Sequence, residues 1–176
     1  DLTRAEYERY SLAFANRTLW PLLHFRSALI EFKRADLAGY LEVNRMFAER
    51  LAGLLRSDDL VWVHDYHLIP LGDELRRRGV ASRIGFFLHV PVPPPALLAE
   101  LPHHHALIGT LCAYDLIGVQ TRPDRDALLD YFRDELGASV KADGRVTMRD
   151  GRRLRIQAFP IGIDTQEVLK AARRAE

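Results

Sequence analysis

The sequence has one cysteine, Cys112, so it can form no internal disulfide; between Leu111 and Ala113 that thiol reads as a small core residue in a reducing compartment. No apolar run approaches the ~20 residues of a membrane span. The polar start, Asp1-Leu2-Thr3-Arg4, lacks the form of a signal peptide, and a cytoplasmic location is expected. A start at Asp with no Met also marks the chain as a fragment, with further sequence expected upstream. Charge excess is missing as well: 25 basic against 24 acidic residues leave +1, which argues against a nucleic-acid partner. Neither Gly-x-Gly-x-x-Gly nor Gly-x-x-x-x-Gly-Lys-Ser/Thr occurs, so no dinucleotide fingerprint and no P-loop is visible. Internal repeats and low-complexity linkers are absent too. With 48% hydrophobic and 28% charged residues in 176, one globular unit is expected, without an internal boundary.

What is present alternates between strand and helix signals. Thr3 with Glu6 forms a capping-box pattern that predicts a helix through about Phe14. Leu37, Leu41, Ala48, Leu51 and Leu55 then recur at helical spacing, with Asn44 interrupting the stripe as a core amide in need of a partner. Leu60 to Val63, Ile84 to Leu88 and Leu116 to Val119 read as buried strands. Between the first two, Leu68, Leu71 and Leu75 form the inner face of a short helix closed by Gly79. Leu97 to Leu101 and Leu107 to Cys112 are short helical pieces, and Thr121-Arg122-Pro123-Asp124 opens a helix that ends before Gly137. The dipeptides Asp143-Gly144 and Asp150-Gly151 predict an antiparallel hairpin insertion at about 139–158, with Arg152 to Phe159 as its return strand and a last helix after Asp164. This order argues an α/β fold: a Rossmann-like parallel sheet with right-handed crossovers and helices on both faces.

Two strands end in chemistry. Val61-Trp62-Val63 runs into His64-Asp65-Tyr66-His67, and Ile84 to Leu88 stops at His89 before the prolines from Pro91 to Pro95. In open parallel sheets, ligands bind beyond the carboxyl ends of strands. Asp65 suits adjacent sugar hydroxyls, since an ionised carboxylate only accepts hydrogen bonds; it equally suits a helix N-cap. His89 is either held over a pocket floor or is a core histidine bonded to backbone. Trp20 either packs in the core or offers its indole N–H to a sugar or phosphate. His64, His67 and His89 match no zinc-ligand pattern, and no metal is expected. His103-His104-His105 reads as the exposed start of a helix. The clusters Arg76-Arg77-Arg78, Arg152-Arg153 with Arg155, and Arg173-Arg174 read as solvated faces.

These stretches together resemble the trehalose-6-phosphate synthases, retaining glycosyltransferases of the two-domain B-type fold. The resemblance rests on Asn16 with Leu19-Trp20-Pro21-Leu22, Gly39-Tyr40 with Val43-Asn44, Val61 to Leu68, Arg83 to Pro93, Tyr114 to Thr121 and Pro160 to Ile163. It implies an incomplete N-terminal acceptor-binding domain spanning 1–176, with a C-terminal nucleotide-sugar domain as its missing partner in the same chain. The implied reaction moves glucose from a nucleotide-glucose, usually UDP-glucose, to glucose-6-phosphate. No cofactor or metal is implied.

By position, Asp65 would bind acceptor hydroxyls, Trp20 would line the acceptor-phosphate end and His89 would contact the donor glucose. The family's phosphate-binding tyrosine falls on Ser11, with Tyr10 beside it as the nearest substitute, and Val92 stands where Phe is common. The family's cationic groups for the donor diphosphate fall outside these residues, so the chain alone is expected to be inactive. Rival readings are a glucosylglycerol-phosphate synthase, which would use glycerol-3-phosphate, and a non-catalytic homologue that binds sugar phosphate. An exposed interdomain face leaves self-association open.

Overall fold

A computed structural model describes residues 1–162 and isolated positions beyond them, so the last helix predicted after Asp164 lies outside the described residues. The Thr3–Glu6 capping box forms, and the helix it starts continues past Phe14 to Leu23, as α1 (Arg4–Tyr7), a wider-wound stretch (Glu8–Leu19) and α2 (Trp20–Leu23). Pro21 explains how the helix survives so far. It has no N–H for the Arg17 carbonyl, and the Glu31 amide donates there instead at 2.9 Å. The Trp20 amide reaches back five residues to Ala15, the π-type bond that absorbs the misfit.

The rest follows as α3 (Arg34–Ala52), β1 (Leu60–His64), α4 (Leu71–Arg77), β2 (Arg83–Leu88), α5 (Pro95–Leu98), α6 (His104–Ile108), β3 (Leu116–Val119), α7 (Arg122–Asp134), β4 (Ser139–Val140), β5 (Arg145–Thr147) and β6 (Arg153–Ala158). On α3 the buried stripe is Tyr40, Val43, Asn44 and Ala48, and Leu41 points outward. Of the expected stripe, Ala48 is buried and Leu37, Leu51 and Leu55 pack partly buried against the core, so only Leu41 falls outside it, and Tyr40 takes its place.

One six-stranded sheet has the order β1-β2-β3-β6-β5-β4. β1, β2, β3 and β6 are parallel; β5 and β4 add antiparallel at one edge. The α/β class is thus as expected. The predicted return strand does more than close a hairpin, since β6 pairs with β3 and belongs to the central sheet.

Register separates the two faces. Val63, Phe86, Ile117 and Ile156 stand in one row and are buried under the helices. Trp62, Gly85, Leu116 and Arg155 occupy the neighbouring row on the opposite side, where Trp62 is 63% exposed and Leu60 is 70% exposed. Among the described residues, helices cover one face only, so the expected second helical layer is not present there. Parallel strands are normally buried on both faces. This bare, apolar sheet face is the largest departure from the expected architecture.

Two arginines read as solvated are structural clamps at the amino-terminal end of the strands. Arg76 donates to the carbonyls of Val80 and Ser82, both at 2.7 Å, and to Asp115 Oδ2 at 2.8 Å. Asp115 Oδ2 also accepts the Ile84 amide. Arg152 donates to the carbonyls of Cys112 and Ala113. Cys112 itself is half-buried against Met148, its thiol pushed up to about 11 by burial.

Candidate active site

Asp65 directly follows β1, at the carboxyl end of the strand, in a conformation that costs energy. Asp65 has φ 70° and ψ 167°, a region that glycine adopts freely and other residues rarely do. Its amide donates to the Phe87 carbonyl at 2.7 Å, which binds the turn to the end of β2. Its Oδ1 accepts the Tyr66 amide at 3.0 Å, capping the short 3₁₀ turn Tyr66–Leu68. The two readings of Asp65 are therefore compatible: one oxygen caps, and among the described residues the other has no hydrogen-bond partner.

The strain persists because buried side chains hold the turn from beneath. Tyr40 Oη donates to the Tyr66 carbonyl at 2.6 Å, and Asn44 Nδ2 to the His67 carbonyl at 3.1 Å. Tyr114 Oη donates to the carbonyls of Leu68 and Ile69 and accepts the Gly72 amide at 2.9 Å. Tyr66 Oη donates to Asn16 Oδ1 at 3.0 Å, which ties the first helix to the same turn. Burial pushes the Tyr40 and Tyr114 phenols up, so both remain neutral donors. Asn44 is satisfied on one side only; among the described residues its Oδ1 is buried without a partner. Of these supports, only Asn44 is marked by an interrupted stripe. The tyrosines carry no local signal, because their partners lie at least 26 residues away in the chain.

His89 is exposed and bonded to another side chain, which corrects the reading of a core histidine bonded to backbone. Its Nε2 lies 2.9 Å from His64 Nδ1, and the rings stack at 5.2 Å. A contact of that length needs one N–H facing one lone pair, so the two rings hold a proton between them. Phe87 underlies His89 at 4.6 Å, and Gly118 makes room for it: a Cβ there would meet the Phe87 ring at 2.5 Å. The loop after His89 is pinned by the buried Asp124, whose Oδ1 accepts the Val92 amide at 2.9 Å. His67 does not join the pair. Its ring packs on Tyr66 and Tyr10, and burial holds its pKa below the ordinary 6.5.

Trp20 is 39% exposed and stacks on His24 at 4.1 Å, so it is not a core residue. Its helical turn packs against α5, the first element after His89 and the prolines. Among the described residues, no hydrogen bond or ring contact joins Trp20 to Asp65 or His89. Tyr10 is withdrawn from the crevice: it is buried against Tyr40 and Phe47, with its hydroxyl pushed up to about 12. Ser11, where the resemblance expects a tyrosine, is buried as well.

A cleft of about 980 Å³ runs over the bare sheet face, past Leu60, Trp62, Leu116, Arg155 and Ile161. Only its rim, at His64, His89 and Phe159, reaches the strand ends. Arg83, Asp115 and Arg155 line the body of the cleft, and the two histidines stand at its rim.

The family model for glycosyltransferase family 20 matches residues 2–176. The chain belongs to glycosyltransferase family 20. It is 43% identical over 179 residues to a trehalose-6-phosphate synthase of Citrobacter koseri, covering 98% of this chain and 36% of that one. Among solved structures, an α,α-trehalose-phosphate synthase (UDP-forming) of Burkholderia xenovorans in complex with glucose-6-phosphate superposes with a TM-score of 0.89 at 45% identity, over 99% of this chain and 40% of that one. An E. coli structure bound with UDP-2-fluoro glucose gives a TM-score of 0.90 at 42% identity, over 97% of this chain and 38% of that one. The chain thus spans well under half the length of the family 20 relatives it matches.

Proposed function

We propose that this chain is the acceptor-binding part of a retaining glycosyltransferase that moves glucose from UDP-glucose to glucose-6-phosphate, giving α,α-trehalose-6-phosphate and UDP. The observation that carries it is Asp65, held in a strained conformation at a strand end with one carboxylate oxygen unpartnered among the described residues, beside the His64–His89 pair. Strain that the surroundings enforce is typical of functional positions. Asp65 accepts hydroxyl hydrogens of the acceptor glucose and fixes the attacking oxygen. His89, rigid between His64 and Phe87, contacts the donor glucose. Trp20 lines the acceptor-phosphate end.

Retention of configuration suits attack on the face the leaving diphosphate departs from, so alignment and charge stabilisation do the catalytic work without a protein nucleophile. The cations for that diphosphate belong to the parts of the longer relatives outside this chain, and the chain by itself does not turn over. The nucleotide-sugar domain of the same polypeptide is its partner in catalysis. A cytoplasmic site of action fits nucleotide-sugar chemistry, and no described helix is long and apolar enough to cross a membrane.

Ser11 favours a second acceptor. With Ser11 and Tyr10 both buried, neither of these positions presents a phenol to an acceptor phosphate, and transfer to glycerol-3-phosphate is the second reading. UDP release by the complete parent protein from UDP-glucose decides between the two. Release with glucose-6-phosphate alone supports the synthase, preference for glycerol-3-phosphate moves it to the sister activity, and release with neither overturns both.

A further inference from the structure

The three consecutive histidines lie away from the crevice and are organised. His103 takes a left-handed conformation, φ 64°, after Pro102, and His104 and His105 then open α6 with their rings 4.1 Å apart. They face the carboxyl end of α7, where Tyr131 and Glu135 sit one helical turn apart. His104 Nδ1 lies 2.8 Å from the Tyr131 hydroxyl, and His105 Nε2 lies 3.2 Å from Glu135 Oε2. One ligand atom from each of His104, His105 and Glu135 falls within 4.8 Å of the others.

We propose that His104, His105 and Glu135 bind a divalent first-row transition ion, zinc foremost. Tetrahedral zinc with bonds of about 2.0 to 2.2 Å sets neighbouring ligand atoms about 3.3 Å apart, which the His105–Glu135 separation already matches. His104 has the supporting shell such a ligand needs: the buried Tyr131 hydroxyl engages Nδ1, fixes the ring and leaves Nε2 for the ion. Two imidazoles with one carboxylate leave a fourth position for water or an outside ligand. The ion clamps α6 to the end of α7, the helix whose first turn holds the post-His89 loop through Asp124 and Val92. Without an ion, His105–Glu135 is an ordinary surface pair of little weight.

Titration of the full chain with Co²⁺, read by visible absorption and reversed by Zn²⁺, tests this. A single saturable equivalent with tetrahedral bands is expected, together with a rise in melting temperature in Zn²⁺. His105→Ala and Glu135→Gln should each weaken binding by about ten-fold or more. Both positions are partly exposed, and circular dichroism checks that the variants fold. Absence of saturable binding tighter than millimolar overturns the site, as does binding unchanged in both variants. Loss of the ion on His64→Ala instead would place it on the His64–His89 pair and overturn the proposal equally.

Discussion

Replacing Asp65 by glycine and by alanine separates the strain at this position from its chemistry. At φ 70° and ψ 167° a non-glycine residue costs about 1 to 3 kcal/mol. Glycine removes that cost, but loses about 0.5 to 1 kcal/mol of backbone entropy and a few tenths for the cap on Tyr66. Alanine keeps the strain and loses about 1 kcal/mol of capping. The glycine variant should therefore be the more stable of the two by about 1 to 3 kcal/mol. For a chain of this size that separates the melting temperatures by roughly 2 to 12 °C in favour of glycine. Acceptor use by the complete protein should fall alike in both, because both lack the carboxylate, while donor binding stays. Thermal melting with steady-state kinetics on the three proteins is the assay. Equal melting temperatures, or alanine the higher, would refute the strain argument; unchanged acceptor KM would return Asp65 to the role of a cap.

Arg76→Ala removes a half-buried cation from two carbonyls and Asp115, and urea unfolding should show a loss of about 2 to 3 kcal/mol, discounted for the partial exposure of Asp115. Tyr114→Phe leaves the buried Gly72 amide and the Leu68 and Ile69 carbonyls without their hydroxyl. It should cost about 1 to 3 kcal/mol in denaturant and raise acceptor KM by loosening the Asp65 turn; no change in either measure would contradict the proposed support. His67 resists protonation in the folded state, whereas the unfolded ring takes a proton near its ordinary 6.5. Stability from this group is thus present above pH 6.5 and is lost as pH falls toward the lower folded value. His67→Gln should flatten the unfolding free energy against pH as the pH falls below the ordinary imidazole value, and an unaltered slope would rule the group out.

The sequence alone determined the local events. A strand followed by His-Asp-Tyr-His, another ending at His89 before prolines, the capping boxes at Thr3 and Thr121, and the turns at Gly144 and Gly151 depend on neighbours within a few residues. Short-range sterics and capping decide such features, and they mark Asp65 and His89 within their own segments. The fold class followed from the order of those elements.

What needed the tertiary structure were relations between distant residues. Strand pairing put His64 against His89 across 25 residues and made β6 a member of the parallel sheet. Packing buried Tyr10, turned Trp20 outward and converted Arg76 and Arg152 from charged surface into clamps. The strained φ of Asp65 is invisible in a sequence, because aspartate is not glycine and nothing local requires that conformation. It exists because Tyr40, Asn44 and Tyr114, brought from other helices and loops, hold the backbone where Asp65 alone would not stay.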